Sequence, residues 1–416
     1  MKVLYVARLF SGLETSFINK IWLPTGVPTI YKIIEELDKN YETKFLFSVK
    51  DSGNGYSSSW KERKDSVFNI SGLKQSIHVL SGIEFFPTWI SRKFAMIFRD
   101  LRQAFVIIIE VIRFKPDIIY CDHANVIVAA ILSRYQNSIP VVFRAMGVYP
   151  FMRAAPTRAN IIHRIYNWAY HSPFDFVICT QDGSGVEPWL NNVLRNGVKN
   201  EVLLNGVDKK LIPDVIDERL QLLSKKKNII LFIGKLERYK GCYEFVESIL
   251  LMLNKKPDEV HGLVIGTGSE ERNLKELVKR YNCMDGFTFI DRLPHKQIAA
   301  AHKISEIYVS MNHLGNLSNA NLEAIQSNDC MVIPYNQPDT GIDVVTNKLL
   351  EGVVVNAPIE DPDKLSAVLR DLIYFKNKRL SLSESINIRK KQFLWSWKDR
   401  IAVEMNLLEN LVKDKV

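Results

Sequence analysis

The sequence predicts an α/β protein built from two doubly wound domains, each a parallel sheet covered by helices. Three observations carry this expectation. Short apolar runs of strand length alternate with longer amphipathic stretches along the chain, which is the pattern of βα units. The chain has 416 residues, 47% of them hydrophobic, and no low-complexity tract, which suits two cores better than one. A polar, lysine-rich stretch at 208–228 separates two alternating halves.

In the first half, strands are expected at 3–7, 43–47, 117–120, 141–144, 176–179 and 202–204. In the second they are expected at 229–233, 262–265, 288–290, 307–310, 331–334 and 352–355. Each is a run rich in Val, Ile, Leu, Phe or Tyr that breaks into turn residues. The implied division is a first domain at 1–210, a linker at 211–227, a second domain at 228–397 and a last helix at 398–416, with apolar residues at helical spacing over 400–411. Between the first strand and a helix beginning near Thr29 lies a long loop. It holds Gly12 and Gly26, glycines of the kind that let a backbone approach a phosphate, and Trp22-Leu23-Pro24, which is shaped to cover something. An ordinary surface loop accounts for the same residues.

The most informative chemistry sits in the second half. The strand at 228–233 breaks into Gly234-Lys235-Leu236-Glu237-Arg238-Tyr239-Lys240-Gly241, and a helical pattern resumes at Tyr243. Further on, Val264-Ile265-Gly266-Thr267-Gly268 ends a strand in a glycine turn, and Leu322-Glu323-Ala324 opens a helix after the polar loop 312–321. Ligands of open parallel sheets lie outside the carboxyl ends of the strands, where these segments would meet. Lysines bring point charges to a phosphate, glycines admit close backbone approach, and a carboxylate accepts hydrogen bonds from ribose hydroxyls. Each segment taken singly also fits a solvated lysine, a plain turn or a favourable helix-dipole charge. Their order along one alternating pattern favours a nucleoside-diphosphate pocket.

At these residues the chain resembles the family 4 glycosyltransferases of GT-B fold, which transfer sugar from a nucleotide donor with retention of configuration. Asn205-Gly206-Val207-Asp208 is similar to the motif that closes the family's first domain, and Gly234-Lys235 with Lys240-Gly241 to its diphosphate loop. Val264 to Gly268, Phe287 to Ile290, and Asn319 with Leu322-Glu323-Ala324 follow in the family's order, and a weaker likeness runs from Lys2-Val3-Leu4-Tyr5 to Phe393-Leu394-Trp395-Ser396-Trp397. The resemblance implies two Rossmann-like domains facing a cleft, acceptor on the first and nucleotide sugar on the second, with the last helix crossing back to the first. It also implies Lys235 and Lys240 as catalytic cations. Donor contacts fall to Gly12, Gly234, Gly266, Arg292 near the base, Leu317, Ser318, Asn319 and the ribose-binding Glu323. His123 and Arg144 would lie on the acceptor side. Two departures stand out. Lys235 replaces the usual arginine, keeping the charge without the bidentate fork, and Gly315 stands where the family often has an acid that contacts the donor sugar. A histidine often found at Met146 is absent too. A nucleotide-sugar 2-epimerase of the same fold, or a non-catalytic GT-B subunit, are the alternatives these departures leave open.

Composition is compatible with that chemistry. A net charge of +9 suits an anionic partner such as a nucleotide, a lipid surface or a phosphate-bearing acceptor. No helix-turn-helix, zinc-finger or RNA-binding signature accompanies it, so nucleic acid is not expected. The five cysteines are scattered and mostly beside apolar positions, which predicts reduced, buried thiols. The eight histidines never pair at metal-ligand spacing, so neither a metal nor a cofactor is expected. Asp361-Pro362-Asp363 is explained as a helix N-cap with proline in the first turn. Asp182-Gly183-Ser184-Gly185 lacks the flanks of a nucleophile elbow.

Residues 1–10 are strand-like without the layout of a signal peptide, and no apolar run is long enough to span a bilayer. The expected location is cytoplasmic, with a peripheral position at the inner face of the membrane as one option. That option rests on 85–98, where aromatics and basic residues alternate ahead of an apolar helix. A helix packed on the sheet is the other reading of the same stretch.

Overall fold

The computed structural model describes residues 1–50, 60, 64–82, 92–136 and 138–415. Its contacts divide the chain into two compact units, Met1–Thr180 with Trp189–Leu203 and Lys398–Val416, and Gln181–Pro188 with Leu204–Trp397. The crossing at Leu204 comes slightly earlier than the expected domain end. The expected linker is not free, because Leu220 and Leu223 are buried among the apolar residues of the second unit.

The first unit is built on eight strands: β1 (Lys2–Arg8), β2 (Glu42–Ser48), β3 (Ser66–Phe68), β4 (Ile77–Leu80), β5 (Ile118–Asp122), β6 (Val141–Ala145), β7 (Phe176–Gln181) and β8 (Lys199–Leu204). They lie in the order β3-β4-β2-β1-β5-β6-β7-β8. β1 runs parallel to both β2 and β5, while β3 pairs antiparallel with β4. Helices cover both faces of such a sheet, which is why β1 is continuously apolar, with Val3 through Ala7 all buried.

Three features differ from the sequence expectation. The loop after β1 contains a helix, Ser11–Asn19, that no strong apolar periodicity announces. β3 and β4 are too short, at three and four residues, for alternation to identify them. In the second unit the last strand begins at Val355 rather than ending there, because the chain turns at Gly352, whose φ is +75°.

The terminal helix, Trp397–Lys413, supplies the first unit with a buried acid. Glu404 is fully buried and accepts a hydrogen bond from Arg144 Nε at 3.0 Å and another from the Tyr120 hydroxyl. Arg400 Nη1 lies 2.5 Å from its other oxygen. Burial alone would push the Glu404 carboxyl up, but Arg144 and Arg400 outweigh it and hold the group down at about 2. Nearer the helix end, Tyr41 donates to Glu409 at 2.7 Å and Lys415 pairs with Asp175 at 2.8 Å.

The second unit has six strands: β9 (Ile229–Ile233), β10 (His261–Ile265), β11 (Phe287–Ile290), β12 (Ile307–Val309), β13 (Met331–Pro334) and β14 (Val355–Ala357). All pair parallel, in the order β11-β10-β9-β12-β13-β14. Alternate residues enter opposite cores: Ile230, Phe232, Val264 and Val309 on one face, Leu231, Leu263, Tyr308 and Ile333 on the other. Strand order reverses between β9 and β12, so the loops after these two strands flank the topological switch point.

The aromatic and basic stretch at 85–98 falls largely outside the described residues. The helix that follows, Arg92–Phe114, exposes Ile97, Phe98, Leu101, Phe105 and Ile112 along one side. No helix among the described residues is long and apolar enough to cross a membrane.

Glu404→Gln should cost about 3–5 kcal/mol in unfolding experiments, because it removes one partner of a buried ion pair. The carboxyl is held below its unfolded value of 4.5, so its stabilising contribution is full above that pH and declines as pH falls toward about 2. Acid unfolding of wild type and variant should therefore converge over that interval. Parallel curves that keep their offset down to the acid limit would contradict the assignment.

Candidate functional site

The site is assembled by loops at the carboxyl ends of β9, β10 and β12. After β9 the chain stays beside β10: Gly234 N donates to Ile265 O and Leu236 N to Thr267 O, both at 3.0 Å. A Cβ on Gly266, whose φ is +145°, would lie 1.9 Å from Gly234 O. The glycine turn after β10 is thus required by the backbone of the cationic loop. Gly241 closes that loop at φ +77°, and a Cβ there would sit 2.3 Å from Met311 O in the segment after β12. His313 N donates to Tyr239 O at 2.9 Å across the same junction.

Lys235 and Lys240 are therefore held on one loop at the switch point. Burial pulls the Lys240 ammonium below its ordinary value, Asp182 opposes that shift and Lys235 adds to it. Lys235 is lowered by burial as well, with Glu237 opposing. Two cations in a partly desolvated loop are an arrangement that an anionic ligand relieves.

The polar loop after β12 is fixed from inside. Asn316 is fully buried; its backbone N–H donates to Asp343 Oδ1 at 2.7 Å and its amide nitrogen to Asp343 Oδ2 at 2.6 Å. Asn316 Oδ1 accepts from Ser310 Oγ at 2.7 Å, and its carbonyl accepts from Asn321 at 2.9 Å. Thr346 Oγ1 donates to Asp343 Oδ1 at 2.7 Å. Gly315 itself has φ +131°, and a Cβ there would meet the backbone of Asp182, Gly183 and Ser184 at 2.6–2.7 Å. No larger residue fits at 315 while the 182–184 segment lies there.

Leu317 is buried, and its N–H donates to Asp182 O at 3.0 Å. Ser318 precedes the helix Asn319–Ser327 without a side-chain cap, so the helix keeps unclaimed N–H groups at its start. Asn319 Oδ1 accepts from Asn205 at 2.8 Å. Glu323 is the fifth residue of this helix, beyond its first turn, and does not cap it. Its Oε1 is 2.7 Å from Lys210 Nζ and 2.8 Å from His295 Nε2. Burial would raise this carboxyl, but His295 and Lys210 together hold it below the ordinary carboxylate range. Glu323 also borders a cavity of about 450 Å³ with Lys209, Lys210, His302 and Lys390. Arg292 lies just beyond β11, exposed, with its carbonyl accepting from Arg219 at 3.3 Å.

The first unit's candidates are placed differently. Gly12 lies inside the helix Ser11–Asn19, and the atom that would meet its Cβ, at 1.9 Å, is Thr25 O. Close packing within the chain therefore accounts for this glycine. Arg144 is 1% exposed and directed inward, donating to Glu404 and, at 3.2 Å, to Thr180. Strand pairing sets Arg144 opposite Asp122 at the ends of β5 and β6, which explains why a strand-end arginine need not face solvent. His123 follows β5, half-buried, its ring 5.6 Å from that of Tyr149. Burial lowers its imidazole, with Asp122 opposing.

Sequence reasoning passed over Asp182, Lys210, His295 and Asp343. The turn-rich signature of Asp182-Gly183-Ser184-Gly185 marked a loop but not its destination. The contacts of Glu323 span 113 residues to Lys210 and 28 to His295, separations that carry no local pattern. Among the described residues there is no group of three or more His, Cys, Asp or Glu arranged to hold a metal ion.

Comparisons with known proteins agree with this architecture. The chain is similar over its whole length to the sucrose-phosphate synthase of Thermosynechococcus elongatus, at TM-score 0.71 and 15% identity, covering 100% of both chains. HepE of Anabaena, solved with UDP-glucose, matches at TM-score 0.65 and 15% identity over 99% of this chain and 100% of that one. A trehalose-6-phosphate protein of E. coli bound to UDP-2-fluoro glucose matches at 0.67 and 12% over 99% of each. At these identities the likeness speaks for the fold. A curated "Uncharacterized glycosyltransferase" of Haemophilus influenzae is 29% identical over 96 residues, 23% of this chain and 26% of that protein. The match thus spans about a quarter of that relative. Residues 216–389 match the family Glycosyl transferases group 1. That region holds β9 to β14 and both loops of the switch point, and it is similar throughout to the group 1 glycosyltransferase domain.

Proposed function

We propose that the chain is a retaining glycosyltransferase that moves a sugar from a nucleoside-diphosphate donor to a hydroxyl of a glycan or lipid-linked acceptor, in the synthesis of cell-surface polysaccharide or glycolipid. The observation that carries this reading is the meeting, at one switch point, of the Lys235 and Lys240 loop with the uncapped N-terminus of Asn319–Ser327. In this reaction the bond between the anomeric carbon and the diphosphate oxygen breaks, and negative charge grows on the departing diphosphate. Fixed cations and N–H groups aimed at that charge lower the barrier. Lys235, Lys240 and the N–H groups of 318–320 take that role, the Leu317 N–H being committed to Asp182 O, and Glu323 takes the ribose, exchanging its Lys210 and His295 contacts for hydroxyl donors. HepE and the E. coli protein were solved with uridine nucleotides, which makes UDP and UDP-glucose the first probes.

The apolar stripe of Ile97, Phe98, Leu101, Phe105 and Ile112 supports a peripheral position on a membrane, where buried apolar area and lipid charge act together. Phe105→Ser with Leu101→Ser should reduce cosedimentation with anionic vesicles without altering turnover of a soluble acceptor analogue. Equal cosedimentation would remove this placement.

Lys240→Ala should lower turnover by about a hundredfold or more while weakening donor binding less, since the charge it meets is larger in the transition state. Lys235→Arg should retain activity. Wild-type turnover by the Lys240→Ala protein would end the diphosphate assignment. Glu323→Ala should weaken UDP and UDP-glucose alike, by about tenfold or more for the loss of charge-assisted hydrogen bonds, with little change in melting temperature. Unchanged affinity would withdraw the ribose role. Product analysis separates the enzyme classes: free or transferred glucose supports the transferase, and an altered sugar still on UDP supports an epimerase.

A further inference from the structure

The segment that crosses from β7 into the second unit carries a carboxylate to the switch point. Leu317 N donates to Asp182 O at 3.0 Å and Asp343 N to Gly183 O at 2.7 Å. Gly183, at φ +85°, leaves no room for a Cβ, which would meet Asp343 Oδ1 at 2.6 Å and Asn316 N and Thr346 Oγ1 at 2.7 Å. The segment is therefore built into the wall of the polar loop rather than laid over it. Its occupancy of the space beside Gly315 excludes any side chain from that position.

Two aspartates belong to this wall, and they differ in what is left to them. Asp343 is 1% exposed and accepts from Asn316 twice and from Thr346, so its carboxylate is committed to the protein. Asp182 is only half-buried. Its Oδ1 accepts from Ser184 N at 3.0 Å and from Ser184 Oγ, and among the described residues Oδ2 has no protein donor. Asp182 is also the acid whose charge acts on Lys240.

We propose that Asp182 is a specificity-determining residue for the donor, its free carboxylate oxygen accepting a hydrogen bond from a hydroxyl of the transferred sugar next to Lys240. The inference rests on the diphosphate reading of the Lys235 and Lys240 loop. A sugar joined to a diphosphate held by Lys240 lies within reach of groups around that lysine, and a carboxylate there discriminates sugars by their hydroxyls, because a missing hydroxyl leaves a partly desolvated acceptor unmatched. Burial lifts the Asp182 carboxyl to about 6, against the opposing effects of Ser184 and Lys240. Discrimination should accordingly strengthen as pH rises through about 6.

The test compares UDP with UDP-glucose, and GDP with GDP-mannose as a second pair, by calorimetric titration of the full chain carrying wild-type Asp182, Asp182→Asn or Ser184→Ala. An asparagine oxygen can still accept from Ser184, so the loop is retained. The expected result for Asp182→Asn is nucleoside-diphosphate affinity within about twofold of wild type and sugar-nucleotide affinity reduced about tenfold, the worth of one lost charge-assisted hydrogen bond. Ser184→Ala should leave the ratio between the two ligands closer to wild type than Asp182→Asn does. A ratio unchanged in Asp182→Asn, or a parallel loss for both ligands, would overturn this inference while leaving the diphosphate reading intact. Failure of the wild-type protein to bind either pair would overturn both together.

Discussion

The buried pairing of Asn316 with Asp343 is the constraint on which the second unit's site depends. Asn316 presents two donors to one carboxylate and accepts with both of its oxygens. This binds the loop after β12 to a turn 27 residues later, and through Gly183 to a segment arriving from β7. Such a network is strongly stabilising only when every member is satisfied, since an unpaired polar group at zero exposure carries its full desolvation cost. Here the members are satisfied, so three stretches of irregular backbone behave as one rigid piece. The cationic loop then acquires a fixed wall to stand against.

Glycine serves that wall in a particular way. At Gly241 and Gly266 the space of a side chain is taken by another backbone, and both residues have φ values in the region that favours glycine. The site is consequently lined by main chain at close range, and main-chain N–H groups are suited to phosphate oxygens. The two lysines supply net charge, and the backbone supplies shape.

Much of this was legible in the sequence because it is local. Eleven of the twelve expected strands correspond to strands of the two sheets, since a parallel strand buried on both faces writes itself as an apolar run, and the last is displaced past Gly352. The lysines, the glycine turns and Glu323 were visible because each follows a strand or opens a helix at short spacing. What escaped was long-range. Arg144 at a strand end invited a place in a pocket, and nothing near it in the chain announces that Glu404, 260 residues on, claims its guanidinium. The Asp182 segment looked like an isolated turn for the same reason. The helix at Ser11–Asn19 is poorly marked because Gly12 weakens it locally and Thr25 favours glycine there only once the fold has formed.

The discontinuity of the first unit has a consequence for how the chain is made. Its sheet is complete once Leu204 is in place, but Arg144 and Tyr120 receive their acid only when residue 404 emerges. During synthesis, the first unit waits with a buried-to-be cation uncompensated while the second unit, Gln181–Pro188 with Leu204–Trp397, is already free to fold. Domains that fold as units during translation ordinarily do so from the N-terminus onward; here the first unit includes Lys398–Val416, so its residues are complete only after those of the second. Nascent chains stalled before that segment should therefore carry a native second unit attached to a loosened first one.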